Sequence, residues 1–154
     1  MIDISSNERV MEFFSYIATP DQTIAFIVRM KEMLSRTGFC YFAVDRLDTN
    51  EFIGFIEMCE QNFDVEFCPC IDIGWRLDPK HWGLGFATEG AQACLDYAHH
   101  ELGIKEVLST APEVKTKSIA VMKKIGMMKH VDFDHPRLVK DPNLINCICY
   151  SSSI

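Results

Sequence analysis

A chain of 154 residues is the size of one domain, and burying about two-thirds of its unfolded surface lets it fold without disulfide or metal staples. Its composition, 48% hydrophobic and 24% charged, is that of a globular protein; the net charge of −7 and the lack of any basic run argue against a nucleic-acid partner. No apolar run approaches the ~18–20 residues of a membrane span and no signal-peptide pattern opens the chain, so the expected setting is cytoplasmic, away from membranes.

Met1–Asn7 is polar, and Glu8–Tyr16 carries Val10, Met11, Phe13 and Phe14 at helical spacing. Thr19-Pro20 restarts the chain, with Thr19 as a cap and Pro20 at the first helical position. Asp21–Arg36 then reads as an amphipathic helix whose face carries Ile24, Ile27, Val28, Met30, Lys31 and Leu34, ended by Thr37-Gly38. Phe39–Leu47 and Phe52–Glu60 read as a hairpin through the polar turn Asp48-Thr49-Asn50-Glu51. Gln61–Pro69 has no period. In Ile71–Leu77 the residues Ile71, Ile73, Trp75 and Leu77 alternate with Asp72, Gly74 and Arg76, a strand that pairs naturally with Phe52–Glu60 and ends at Asp78-Pro79.

A glycine turn, Gly83-Leu84-Gly85, opens a long helix that runs to Leu102 and stops at Gly103. Glu106–Ala111 is the next strand, stopped by Pro112. This strand–helix–strand step implies a right-handed crossover to a parallel neighbour. Thr116–Ile125 is a helix closed by Gly126. Met128–Phe133 and Leu144–Ser151 are the last two strands, an antiparallel pair.

The turn at Gly83 and Gly85 is the stretch with chemistry in it. Glycine turns that open a helix leave backbone N–H groups aimed one way with the helix dipole behind them, which suits phosphate. The spacing is neither G-x-x-x-x-G-K-[ST] nor G-x-G-x-x-G. Local physics leaves an anion site and a plain strand–turn–helix corner both open.

The seven cysteines, Cys40, Cys59, Cys68, Cys70, Cys94, Cys147 and Cys149, include two C-x-C pairs but no zinc spacing, and read as small buried hydrophobes. The five histidines do not fall at ligand spacing, so no metal is expected.

The string IGWRLDPKHWGLGFATEG resembles motif A of the GCN5-related N-acetyltransferases, in the branch of the ribosomal-protein alanine acetyltransferases. The superfamily signature is [QR]-x-x-G-x-[GA]; here Trp82 takes its first position, followed by Gly85 and Ala87. The resemblance runs from about Val10 to Tyr150. It implies an α/β (α+β) fold, a mixed and mostly antiparallel central sheet flanked by helices. On that comparison the family's first strand has no counterpart. The expectation is a sheet edge covered by a partner chain, for example in a homodimer, with a misplaced start or a degraded copy as the other readings.

The resemblance also implies acetyl-CoA as donor and a primary amine, a protein N-terminus or a small amine, as acceptor, joined directly in a ternary complex. The pyrophosphate is expected on the backbone of Trp82, Gly83, Leu84, Gly85, Phe86, Ala87 and Thr88, and the pantetheine arm beside Trp75, Arg76 and Leu77. Asp72 is the first candidate base and Glu57, on the neighbouring strand, the second. Tyr150 is the candidate acid for the departing thiolate. Glu113–Met127 resembles the family's N-x-x-S…V-x-x-[KR]-[LI]-G-F segment, with Ser118, Val121 and Gly126 kept. Lys115 stands where the family has the asparagine that bonds pantetheine, and lysine lacks the amide's acceptor. His135-Pro136-Arg137 resembles a stretch that shapes the acceptor pocket. Such departures keep a second reading open, a non-catalytic acyl-CoA-binding or regulatory protein.

Overall fold

The structure, a computed structural model, describes residues 19–154. The polar start and the helix expected over Glu8–Tyr16 lie outside the described residues, as does most of the segment on which the comparison of first strands turns.

Helix α1, Pro20–Thr37, begins as its sequence dictates. Thr19 Oγ1 accepts from the Gln22 N–H at 3.3 Å, and Gln22 Oε1 accepts from the Thr19 N–H at 2.8 Å, a reciprocal capping box. Gly38 takes a φ of +81° and its N–H bonds to the Leu34 carbonyl, closing the helix. The buried face is not the expected one. Ile24, Ile27, Val28 and Leu34 are exposed; Thr23 is buried, and Phe26, Met30 and Met33 are half-buried. Phe26 seats edge-on against Tyr41 at 4.8 Å between ring centroids. A large ring and two flexible thioethers at i, i+4 and i+7 take the sheet side of α1 over the branched residues.

The strands are β1 Tyr41–Asp45, β2 Phe52–Gln61, β3 Cys70–Leu77, β4 Glu106–Pro112, β5 Met128–Asp134 and β6 Asn146–Ser153. They form one sheet in the order β1-β2-β3-β4-β6-β5. Every neighbouring pair is antiparallel except β3 with β4. Among the described residues, β1 is an edge strand. Helix α2, Phe86–Asp96, makes the crossover from β3 to β4 and ends in a wider π-helical turn, Tyr97–Glu101. Helix α3, Thr116–Lys124, follows β4.

Strand alternation sorts the sheet into two faces. Ile56, Met58, Ile73, Val107 and Ile148 meet Ala91 and Leu95 of α2 and Met122 of α3 in the main core. By register the opposite face carries Glu57 and Cys59 of β2, Asp72, Gly74 and Arg76 of β3, and Cys149 of β6. Among the described residues no helix is long and apolar enough to cross a membrane.

Candidate active site

β3 and β4 run together for one register pair, Asp72 with Leu108, and then part. Two side chains take over the bonding where the ladder stops. Ser109 Oγ donates to the Ile73 carbonyl at 2.7 Å, and the Asp72 carboxylate accepts from the Thr110 N–H. Beyond them, the edge of β3 that faces β4 has no ladder partner. A groove of about 550 Å³ opens beside it.

Three elements wall this groove: Trp75, Arg76 and Leu77 of β3, the turn and first residues of α2, and the approach to α3 with its first turns. The turn holds its shape through backbone chemistry. Gly83 and Gly85 sit at φ +77° and +93°, where side chains are disfavoured, and Gly85 is the residue that opens α2. Trp82 Nε1 donates to the Leu77 carbonyl at 2.8 Å, so the tryptophan ties the turn to the end of β3.

Of the twelve residues expected to meet the donor, eleven line the groove: Trp75, Arg76, Leu77, Trp82, Gly83, Gly85, Phe86, Ala87, Thr88, Lys115 and Ser118. Leu84 does not; its side chain is exposed to solvent, because the turn points it outward. Sequence reasoning passed over Lys117, Lys124 and His81, which also line it. With Arg76 and Lys115, the two new lysines bring one arginine and three lysines into one groove of a chain of net charge −7. Lys117 Nζ lies 5.2 Å from the Trp82 ring centroid. The signal for both lysines was their place on α3 beside Ser118, at i−1 and i+6.

The candidate bases lie on the other face of the sheet, at the same parting of strands. The Asp72 Oδ1 is sealed from solvent without a hydrogen-bond partner. Burial, and secondarily the Glu57 charge, push the Asp72 carboxyl well above the usual range. Glu57 sits 3.9 Å from the Arg76 guanidinium, both side chains about 15% exposed. Burial pushes the Cys59 and Cys149 thiols up to about 12, with the Asp72 charge adding to it, so neither is a nucleophile at neutral pH. All seven cysteines are free thiols.

Tyr150 is not with them. It packs in the main core, opposite Ser109, on the sheet face away from Asp72, and it does not line the groove. The place of Tyr150, the expected acid, in the strand period turns its ring toward the helices. His135 stands in an aromatic cluster instead, 4.7 Å from the Phe63 ring and 5.8 Å from Phe133, which joins the β2–β3 loop to the end of β5. Among the described residues no group of three or more potential ligands could hold a metal ion.

The family model described as "Acetyltransferase (GNAT) domain" matches residues 1–128. The chain belongs to the GNAT acetyltransferase family. Within it, the chain is 29% identical over 118 residues to the Bacillus subtilis protein YkkB, a match covering 77% of this chain and 67% of YkkB. It is 41% identical over 61 residues to the FsC-acetyl coenzyme A-N(2)-transacetylase of Aspergillus fumigatus, covering 40% of this chain and only 26% of that protein. The match to YnaD, an N-acetyltransferase of Bacillus subtilis by name, spans 34% of that relative, so some curated relatives are matched over much less than two-thirds of their length. Among solved structures, a GNAT acetyltransferase from Bacillus anthracis superposes with a TM-score of 0.81 at 24% identity, over 99% of this chain and 86% of the other. The Vibrio cholerae spermidine N-acetyltransferase, solved with CoA and spermine, gives 0.78 at 15%, over 99% and 86%. At these identities the superpositions speak for the GNAT fold alone.

Proposed function

We propose that the groove binds acetyl-CoA and that the chain transfers its acetyl group to a primary amine. The observation that carries this reading is the joint geometry of a parted β3 edge, a two-glycine turn at the start of α2, and the basic side chains of Arg76, Lys117 and Lys124 in one groove. An extended arm with two amides suits a strand edge without a ladder partner. A pyrophosphate suits the N–H groups of Gly83–Thr88, with the Thr88 hydroxyl beside them. Lys117 and Lys124 then meet the remaining phosphate charge. Membership of the GNAT family and the CoA named in the Vibrio cholerae complex support the same donor.

Acetyl transfer needs the acceptor amine neutral and the donor's thioester carbonyl polarised. A backbone N–H of the parted stretch, near Arg76 or Leu77, serves the carbonyl. Of the two carboxylates, we assign the base to Glu57, which retains some exposure beside Arg76. Asp72, sealed and turned to Thr110, is the positioning group. Direct attack in a ternary complex needs no acyl-enzyme, in keeping with the raised thiols. The acceptor is a primary amine, on a small molecule or a protein N-terminus.

A thermal melt with acetyl-CoA, CoA and ATP tests the donor. Ligand at about 100 times its Kd adds ~2.7 kcal/mol, which raises Tm by several degrees in a domain of this size. Both CoA species should raise Tm and ATP should not. Equal melts with and without CoA would remove the reading.

A further inference from the structure

Lys115 is the one groove residue where this chain puts an amine in place of the family's asparagine amide. It follows β4 directly, its backbone N–H bonded to the Pro112 carbonyl at 2.9 Å, and it lines the groove opposite Arg76 and Leu77. Its side chain is half-buried, lines the groove that the end of β3 borders, and feels the charges of both Glu57 and Arg76. The site that carries out amine acetylation therefore holds an amine of its own.

We propose that Lys115 is an internal acceptor, acetylated by the acetyl-CoA bound in the same groove. The inference rests on the reading of that groove as the donor site. The Lys115 Nζ attacks the acetyl carbonyl, the C–S bond breaks, and one proton leaves the nitrogen for the departing sulfur. The products are N-acetyllysine at position 115 and free CoA thiol, with no oxidant or metal required. Only a neutral amine can attack, and burial, the main influence on this ammonium, pushes it below its ordinary range; the Glu57 charge opposes that shift and Arg76 reinforces it. Lys117 and Lys124 line the same groove but are exposed.

The reaction also alters the site. It removes a positive charge next to Glu57 and Arg76. It replaces the ammonium, which can only donate, by an amide that both donates and accepts. An acetylated Lys115 thus presents the bonding pattern of the asparagine it replaces, and self-acetylation would convert a charged groove into one of the family's usual type. The expected order of events is a slow first turnover on the chain itself, then turnover on free amines.

The test uses the full chain, acetyl-CoA with an isotopically labelled acetyl group, and no added amine. The expected result is one labelled acetyl group per chain, mapped to Lys115 by peptide mass spectrometry. Label at Lys115 should lead every other lysine by at least about tenfold, as the high effective molarity of a bound reactant requires. The half-time should not change on dilution of the protein at saturating acetyl-CoA. Lys115→Arg keeps a cation and removes the nucleophile; it should take up no label at this position. Label spread evenly over surface lysines, or none at Lys115 in a protein whose Tm acetyl-CoA does raise, overturns the inference and leaves the donor reading intact. A protein whose Tm does not respond to acetyl-CoA overturns both. If Lys115→Arg does not fold, the wild-type site map and dilution series decide alone.

Discussion

Gly74 and Glu57 face each other across the β2–β3 ladder, and the Glu57 side chain folds over the Gly74 Cα into the space a side chain there would fill. The three atoms nearest to that space all belong to Glu57. The missing Cβ is what lets the carboxylate lie against the sheet beside Arg76.

Gly74→Ala therefore dislodges the proposed base without touching the groove. Its kcat is expected to fall by ~10- to 100-fold, the lower part of what a positioned general base contributes. The KM for acetyl-CoA should stay within about twofold, and overpacking should cost on the order of 1 kcal/mol. Steady-state kinetics on the first amine found to react, alongside a melt, checks both. An unchanged kcat would mean that Glu57 is not the base.

Asp72 makes a prediction about pH. Its folded-state pKa is raised by burial, so the native protein holds the proton after the unfolded chain has lost it. Stability from this group is fully present below the unfolded pKa of about 3.9 and declines as the pH rises from there through the folded value. Asp72→Asn escapes that decline. Its Tm relative to wild type should thus be higher at pH 7.5 than at pH 4.5, by a few degrees for each ~1 kcal/mol recovered. Melts at the two pH values suffice; a constant offset would show that the carboxyl is ionised without penalty.

Lys117 bears on the donor's phosphates. Removing its charge and its contact with Trp82 in Lys117→Ala should raise the Kd for CoA by about three- to tenfold at low salt, and by less at high salt as screening grows. Calorimetric titration at two ionic strengths reads it. A loss of affinity that does not depend on salt would assign the effect to packing on Trp82 rather than to charge.

Gly54 is the position where any side chain meets backbone. At φ +146°, its missing Cβ leaves room for the Arg76 carbonyl and the Leu77 Cα of β3. Gly54→Ala must push β2 off β3 just where β3 borders the groove. A loss of ~3 kcal/mol or more is expected, with weaker CoA binding in whatever remains folded. Denaturant unfolding measures the first and the CoA-dependent melt the second.

Much of the fold was legible because its punctuation is local. Thr19-Pro20 and Gly38 bound α1, Pro79 and the two glycines break β3 from α2, and strand alternation in Ile71–Leu77 held to the residue. The groove was legible for a different reason: its walls are three short stretches whose residue types match a family pattern. One reading failed where the answer depends on which neighbour is near. The apolar residues of α1 form two overlapping stripes, and only the partner Tyr41 decides that Phe26 rather than Ile24 faces in. Tyr150 lies in a strand of small and sulfur-bearing residues, and its facing is set by the register of β6 on β4, which no local period reveals. Lys117 and Lys124 were passed over although they stand beside Ser118; a lysine on a helix marks a groove firmly only once the opposite wall is in place.

The parting of β3 from β4 also determines where this sheet can exchange its amide protons. Around Asp72 and Ile73 the strand is held by both neighbours; past Ile73 only β2 pairs with it. In heavy water, the alternate amides of Gly74–Leu77 that face the gap should take up deuterium well before the rest of the strand. A ligand that lays its own amides along that edge would act as the absent strand segment and slow them again. The backbone itself then reports occupancy, residue by residue, before any acceptor is known.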